Sequence, residues 1–269
     1  MAPERLVTFI ENHDQLANTG RGLRLHRTAA PGSLRAITAL LLLGPGTPML
    51  FMGQEFAASS PFCYFAGFEG TLAERIDRGR REELSQFPSL ATSEVQAIIP
   101  LPDDPQTFQA CKLDWAEAQA HAEAMALHRD LLRLRREDAV LNASRHLGGI
   151  DGAVLGPNAF VLRFFGGGHG DRLLLVNLGC DLELGIMPEP LLAPSEDHDW
   201  ELLWSSEHPA YGGTGSQPIS PEAPWVLPAR AAILLQPGVP STDRKTALEK
   251  TLAKAAEMRA KARKAIGRA

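Results

Sequence analysis

The stretch Leu6-Val7-Thr8-Phe9-Ile10-Glu11-Asn12-His13-Asp14-Gln15 decides how the rest of the chain is read. Five apolar or β-branched residues run without a break into five polar ones. An apolar run of this kind predicts a strand covered on both faces, as in parallel sheets. Barrels of parallel strands gather their active sites at the strands' carboxyl ends, so the polar residues stand where chemistry would sit. Further along, residues 33–43 follow Pro31-Gly32 and predict a helix rich in Ala and Leu, with Ser33 able to cap it. Met49-Leu50-Phe51-Met52 predicts a second buried strand, and residues 5–56 together describe a βαβ unit.

Beyond that unit, residues 57–112 read as a long irregular connection, of a length that is uncommon inside a domain and often functional. Asp114, three residues before Glu117, predicts a helix start of the capping-box kind. Ala124, Leu127, Leu131 and Leu134 then share one helix face, and Arg133, Arg135 and Arg136 stand near the carboxyl end, where the helix dipole favours cations. From about residue 144 to 237 the pattern becomes short apolar runs separated by Gly, Pro and Asn, at 160–165, 172–178, 200–204 and 231–235. Such spacing predicts an antiparallel β-sandwich. Gly166-Gly167-Gly168-His169-Gly170-Asp171 joins two of these runs and reads as a hairpin turn, because a phosphate-cradling loop must lead into a helix. Residues 241–269 carry nine Lys and Arg against three Asp and Glu, with a weak helical stripe through Leu248, Leu252, Ala255, Ala262 and Ile266. They read as a solvated helical tail.

The whole chain of 269 residues has a net charge of −5, 44% apolar and 22% charged residues, the balance of an ordinary globular protein. A mildly acidic chain is no general nucleic-acid binder. The longest apolar stretch, residues 36–56, is broken by Gly44-Pro45-Gly46-Thr47-Pro48, so no spanning helix and no membrane partner are expected. No secretory signal is visible at the start. Cys63, Cys111 and Cys180 are odd in number, far apart in sequence and form no CxxC, which predicts neither a disulfide framework nor a metal site and suits a reducing cytoplasm.

By itself Asn12-His13-Asp14 reads equally as a polar loop bonding nearby backbone. In context, residues 9–14 resemble a signature region of the α-amylase family of glycoside hydrolases, at the end of the seventh barrel strand, and residues 44–56 resemble the eighth. Glu11-Asn12-His13-Asp14-Gln15, Gly20-Arg21-Gly22, the run from Gly53 to Phe62, Gly79-Arg80-Arg81-Glu82 and Lys112-Leu113-Asp114-Trp115 together resemble its trehalose-releasing branch. The likeness covers about residues 5–140, continues loosely through the β region and leaves out the tail. It implies retaining cleavage of α-glucosidic bonds in malto-oligosyltrehalose or a related α-glucan, without a cofactor. Asp14 takes the place of the carboxylate that stabilises the transition state, and His13 bonds hydroxyls of the same sugar ring. Asn12, Gln15 and Arg21 are further substrate-binding candidates. Glu55 is expected to pair with an arginine, and most of Phe62, Tyr64, Phe65 and Phe68 to serve loop packing.

The same resemblance implies what these residues lack. The family's nucleophile and general acid belong to the fourth and fifth strands, and neither motif is found in this sequence. The expected architecture is therefore α/β plus all-β: an incomplete (β/α)8 barrel of two strand–helix units over 1–143, a β-sandwich over 144–240 and the basic tail over 241–269. Alone the chain is expected to be inactive, with an N-terminal barrel fragment as a possible partner. The rival readings are another enzyme of the family, of branching or debranching type, and a non-catalytic carbohydrate-binding or interaction module. The run from Gly53 to Phe62 favours the trehalose-releasing type over the first.

Overall fold

The computed structural model describes residues 3–143, 149–167, 170–185, 188–195, 198–216 and 225–238. The expected basic tail lies outside the described residues, as do Gly168 and His169 of the glycine-rich turn.

The chain opens with β1 (Val7–Thr8), α1 (His13–Ala17), α2 (Pro31–Leu43) and β2 (Thr47–Pro48). β1 and β2 pair in parallel, with the Thr47 amide donating to the Leu6 carbonyl and the Met49 amide to the Thr8 carbonyl, each at 2.8 Å. This is the expected strand–helix–strand order, but two details differ. Both strands are two residues long, and the second lies just before Met49-Leu50-Phe51-Met52 rather than on it. Leu6, Val7, Phe9, Met49 and Met52 are exposed, not buried. The reason is partnership: among the described residues these strands have only each other, so nothing extends their ladder or covers their apolar faces. α2 starts at Pro31, which suits a first helical position, so Ser33 lies inside the helix instead of capping it.

Three helices occupy the region expected to be irregular: α3 (Gly70–Ser85), α4 (Ser93–Ala97) and α5 (Pro105–Ala110). α3 escapes a search for apolar periodicity because only Ala73 and Leu84 are buried. Its face is instead laced by Arg81–Asp77 at 2.9 Å and Arg80–Glu83 at 2.9 Å, pairs at helical spacing. The long helix also differs from expectation. Asp114 Oδ1 accepts the Ala116 amide at 2.9 Å and starts only a short α6 (Glu117–Ala120), which breaks at His121 before α7 (Ala122–Glu137) begins. Leu127 and Leu131 of α7 face the core as their spacing requires.

A hinge at Asp138, whose carboxylate caps α8 (Ala139–Ala143) and pairs with Arg172 at 3.0 Å, leads into the β region. β3 (Ile150–Gly156), β4 (Ala159–Phe164), β5 (Arg172–Asn177), β9 (Ala231–Gly238) and β7 (Asp199–Ser205) form one antiparallel sheet in that order. β6 (Leu182–Leu184) and β8 (Trp225–Leu227) form a second, smaller antiparallel pair. The four expected runs fall on β4, β5, β7 and β9, and the glycine-rich segment joins the antiparallel β4 and β5, as a hairpin turn must.

The large sheet is buried on both faces. Leu174, Val176, Ala232 and Leu234 pack against α2 and α7, where they meet Ala36, Ala39, Leu42, Leu127 and Leu131. Leu173, Leu175, Ile233 and Leu235 point the other way, onto Leu184 and Leu227 of the small sheet. Two covered faces explain why Leu173-Leu174-Leu175-Val176 shows no alternation. Polar ties fasten α2 to the sheet: Arg35 donates to the Ser206 carbonyl at 2.9 Å and pairs with Glu207 at 2.6 Å. Arg135 of α7 donates to the carbonyls of Leu42, Gly44 and Gly46, covering the free carboxyl end of α2.

His128 of α7 is 6% exposed, and burial holds it below the ordinary histidine value while its Nδ1 bonds the Ala124 carbonyl at 2.9 Å. A histidine held neutral in the fold and free to protonate when unfolded gives stability that is complete above about pH 6.5 and lost as pH falls. The urea midpoint is therefore expected to drop between pH 7 and pH 5. His128→Leu, which also removes a buried Nε2 without a partner, flattens that slope. An unchanged slope in the variant would remove His128 from the account.

Candidate active site

The polar segment after β1 folds as the first turn of α1. Asn12 is its N-cap, extended at φ −146° and ψ 176°, and its Oδ1 accepts the Gln15 amide at 2.8 Å. This is the helix-capping use of an asparagine, and it occupies the side chain. Asp14 sits in the same turn, where the positive end of the helix dipole favours a carboxylate. The side chains of His13 and Asp14 are 67% and 71% exposed, with Nε2 of the one 3.3 Å from Oδ1 of the other. Asp14 is thus presented to solvent and not spent on the core. Gln15 is exposed beside it.

Arg21 is not brought into that group. It lies past α1, between Gly20 at φ +76° and Gly22 at φ +64°, on the wall of a cleft of about 430 Å³ that Pro61, Cys63, Ile98, Asp104 and Thr107 also line. Gly22 is required there. A Cβ would stand 2.5 Å from the carbonyl oxygen of Phe62, whose amide donates to Gly22 at 2.8 Å. Gly22→Ala is expected to cost ~2–4 kcal/mol through left-handed strain and backbone collision, read as a lowered urea midpoint. A loss under ~0.5 kcal/mol would mean that the two loops separate freely.

Two charged residues to which the sequence reading gave no role hold this region together. Arg24 is 1% exposed; its Nε donates to the Ser60 carbonyl at 2.7 Å and Nη1 to the Met52 carbonyl at 2.8 Å. Glu11, 4% exposed, stands 4.0 Å from Arg24 and accepts the Leu25 amide. Burial lowers the Arg24 pKa, and the charges of Glu11 and Glu55 oppose that shift. Glu55 is half-buried and acts on Arg24 and His128 through its charge; among the described residues it makes no ion pair within 4 Å, so the expected pairing is a longer-range one. Arg80 of α3 likewise donates to the Ala17 carbonyl at 2.9 Å, fastening the end of α1.

Phe62 and Phe65 serve packing as expected, edge-on to Phe51 at 5.0 Å and to Phe108 at 5.1 Å respectively. Tyr64 lies under the Arg80 guanidinium at 5.4 Å, and Phe68 is exposed. Among the described residues no group of three or more His, Cys, Asp or Glu is placed to hold a metal ion, and no helix is long and apolar enough to cross a membrane.

Similarity to known proteins follows the same outline. A family model described as a domain of unknown function, DUF3459, matches residues 147–234, the β region. A malto-oligosyltrehalose trehalohydrolase of Deinococcus radiodurans is 42% identical over 182 residues, 65% of this chain and 28% of that protein. One from Arthrobacter ramosus is 43% identical over 136 residues, 49% of this chain and 23% of that protein. The chain thus spans about a quarter of the length of these curated relatives. Among solved structures, a Salmonella typhimurium protein provisionally assigned as an alpha amylase superposes with TM-score 0.65 at 28% identity, covering 87% of this chain and 36% of that one.

Proposed function

We propose that this chain, a relative of the malto-oligosyltrehalose trehalohydrolases, carries one of the three catalytic carboxylates of a retaining α-glucan hydrolase together with the β domain that backs it. The observation that carries the reading is Asp14 itself: a carboxylate on the first turn after a parallel strand, exposed to solvent and kept out of core bonding. In double displacement the sugar passes through an oxocarbenium-like state, and a fixed negative charge close to the distorted ring stabilises the positive charge as it develops. Asp14 fills that role, and His13 beside it bonds a hydroxyl of the same ring. Asn12 caps the turn and so fixes the direction of both. Arg21 and Gln15 contact more distant sugars of the chain. The substrate is a malto-oligosyltrehalose, cut at the α-1,4 bond next to its trehalose end.

The nucleophile and the general acid come from barrel strands that this sequence does not contain, whether in one polypeptide or in a partner. The apolar surface supports this. Leu6, Phe9, Ile10, Ile37, Leu40 and Leu41 line a groove of about 290 Å³ between β1 and α2. Leu6, Val7 and Phe9 leave apolar area in water that a neighbouring strand and helix would cover. On this reading, residues 1–143 form the last two strand–helix units of the barrel and 144–240 its sandwich domain.

The test exchanges this chain for the matching segment of the Deinococcus radiodurans relative and measures trehalose released from malto-oligosyltrehalose. Release by the exchanged protein and none by the chain alone is the expected result. A folded but inactive exchange would overturn the assignment, and release by the chain alone would overturn its incompleteness. Faster cleavage of a linear maltodextrin without a trehalose end would move the chain to another α-glucan enzyme.

A further inference from the structure

Cys63 and Cys111 are 48 residues apart in sequence, but the fold sets them side by side. The Cys63 amide donates to Cys111 Sγ at 3.1 Å, and that sulfur stands 4.0 Å from the Cys63 carbonyl oxygen. Both thiols are free. With one sulfur already at the other residue's own amide, the fold meets the first requirement of a disulfide, two cysteines brought together from distant parts of the chain. Both are buried, Cys63 at 6% exposure and Cys111 at 3%, and of the two it is Cys63 that lines the Arg21 cleft.

We propose that Cys63 and Cys111 are a redox modification site, a dithiol that a low-molecular-weight disulfide of the glutathione type converts to an intramolecular bridge. The step is two exchanges. The Cys63 thiolate attacks one sulfur of glutathione disulfide, that S–S bond breaks, and a glutathione thiolate leaves and takes up a proton. Cys111, having given its proton to solvent, then attacks the Cys63 sulfur of the mixed disulfide and expels the second glutathione. Two protein thiols are oxidised and one glutathione disulfide is reduced to two thiols. This inference stands apart from the glycosidase reading and does not need it.

Two physical consequences follow. Burial and the neighbouring Cys111 push the Cys63 thiol up to about 12, with Arg80 pulling the other way, so exchange is slow at neutral pH and quickens as pH rises. Thiols that ionise reluctantly are also poor leaving groups, which makes the formed bridge hard to reduce. Once closed, the bridge ties the loop carrying Phe62 and Tyr64 to the carboxyl end of α5 and holds the wall of the Arg21 cleft in one position.

The experiment treats the full chain with excess glutathione disulfide at pH 8.5, quenches with acid and alkylating agent, and digests without reduction for mass spectrometry. A linked pair of peptides carrying Cys63 and Cys111, lighter by two hydrogens than their sum, is the expected product. Exposed Cys180 takes up glutathione and shows that the reagent works. The bridged protein should melt about 5–10 °C higher, since the bridge closes a long loop. Cys111→Ser leaves Cys63 unlinked, and in strong urea the linkage loses its preference over pairs that include Cys180. Recovery of Cys63 and Cys111 as free thiols or separate glutathione adducts, while Cys180 is modified, would overturn the proposal. So would equal pairing with and without urea.

Discussion

Asp14→Asn, introduced into the Deinococcus radiodurans relative that carries this chain in exchange for its own segment, is expected on the proposed reading to lower kcat by about 10²–10³-fold while leaving the fold intact. The substitution keeps the shape and removes the charge, so under the proposed role it takes away an interaction that grows as the sugar becomes cationic and is weak in the ground state. A loss concentrated in kcat, with KM changed little, is the signature of such a group. The urea midpoint should not move, because the Asp14 side chain is 71% exposed and its neighbour His13 is exposed as well. His13→Ala, which removes one hydrogen bond to an uncharged hydroxyl, should cost only about tenfold. Retention of activity within about tenfold in Asp14→Asn would remove this carboxylate from the reaction and, with it, the reading of the site.

Arg24→Ala should behave in the opposite way, costing about 3–5 kcal/mol of stability wherever the chain is folded. The guanidinium is 1% exposed and donates to two main-chain carbonyls, those of Met52 and Ser60, tying the loop after β1 to the loop after β2 alongside the Phe62 amide bond to Gly22. Its removal leaves those carbonyls and the buried Glu11 without their cation, and opens a cavity beside Gly53 and Phe51. A single-residue loss of this size shifts a urea midpoint by about 1 M or more. Arg24→Lys should recover only part of it, because one ammonium does not reproduce the fork that spans both carbonyls. A midpoint lowered by less than about 0.3 M in Arg24→Ala would show that the loops after β1 and β2 hold together without this arginine.

The contrast between these two residues marks the division between what a linear reading sees and what it misses. The exposed turn that carries Asp14 was legible because its signal is local: polar residues placed directly after an apolar run, in a stretch that resembles the α-amylase pattern. The role of Arg24 carries no such signal, since the carbonyls of Met52 and Ser60 that it bonds lie 28 and 36 residues from it along the chain, and Glu11, inside the motif, finds its partners Arg24 and the Leu25 amide only once the chain folds back. Cys63 and Cys111 are the same case, read as unrelated for want of close spacing and found in contact. α3 was missed for a different reason. Its helix is held by charged pairs one turn apart and by Arg80 reaching the Ala17 carbonyl, so the apolar period that announces α7 is absent from it.

Apolar runs and turn residues were enough to place four of the five strands of the large sheet, the link between β4 and β5 and the polar turn that carries Asp14, because the order of these features along the chain is the structure's own order. Packing in three dimensions sets the rest: Leu6, Val7 and Met49 face solvent, Arg21 lines a cleft whose walls do not include Asp14, and Arg24 rather than an apolar side chain fills the centre of the loop region. Burial is a property of what packs against a residue, and those neighbours come from segments whose path through space no local period records.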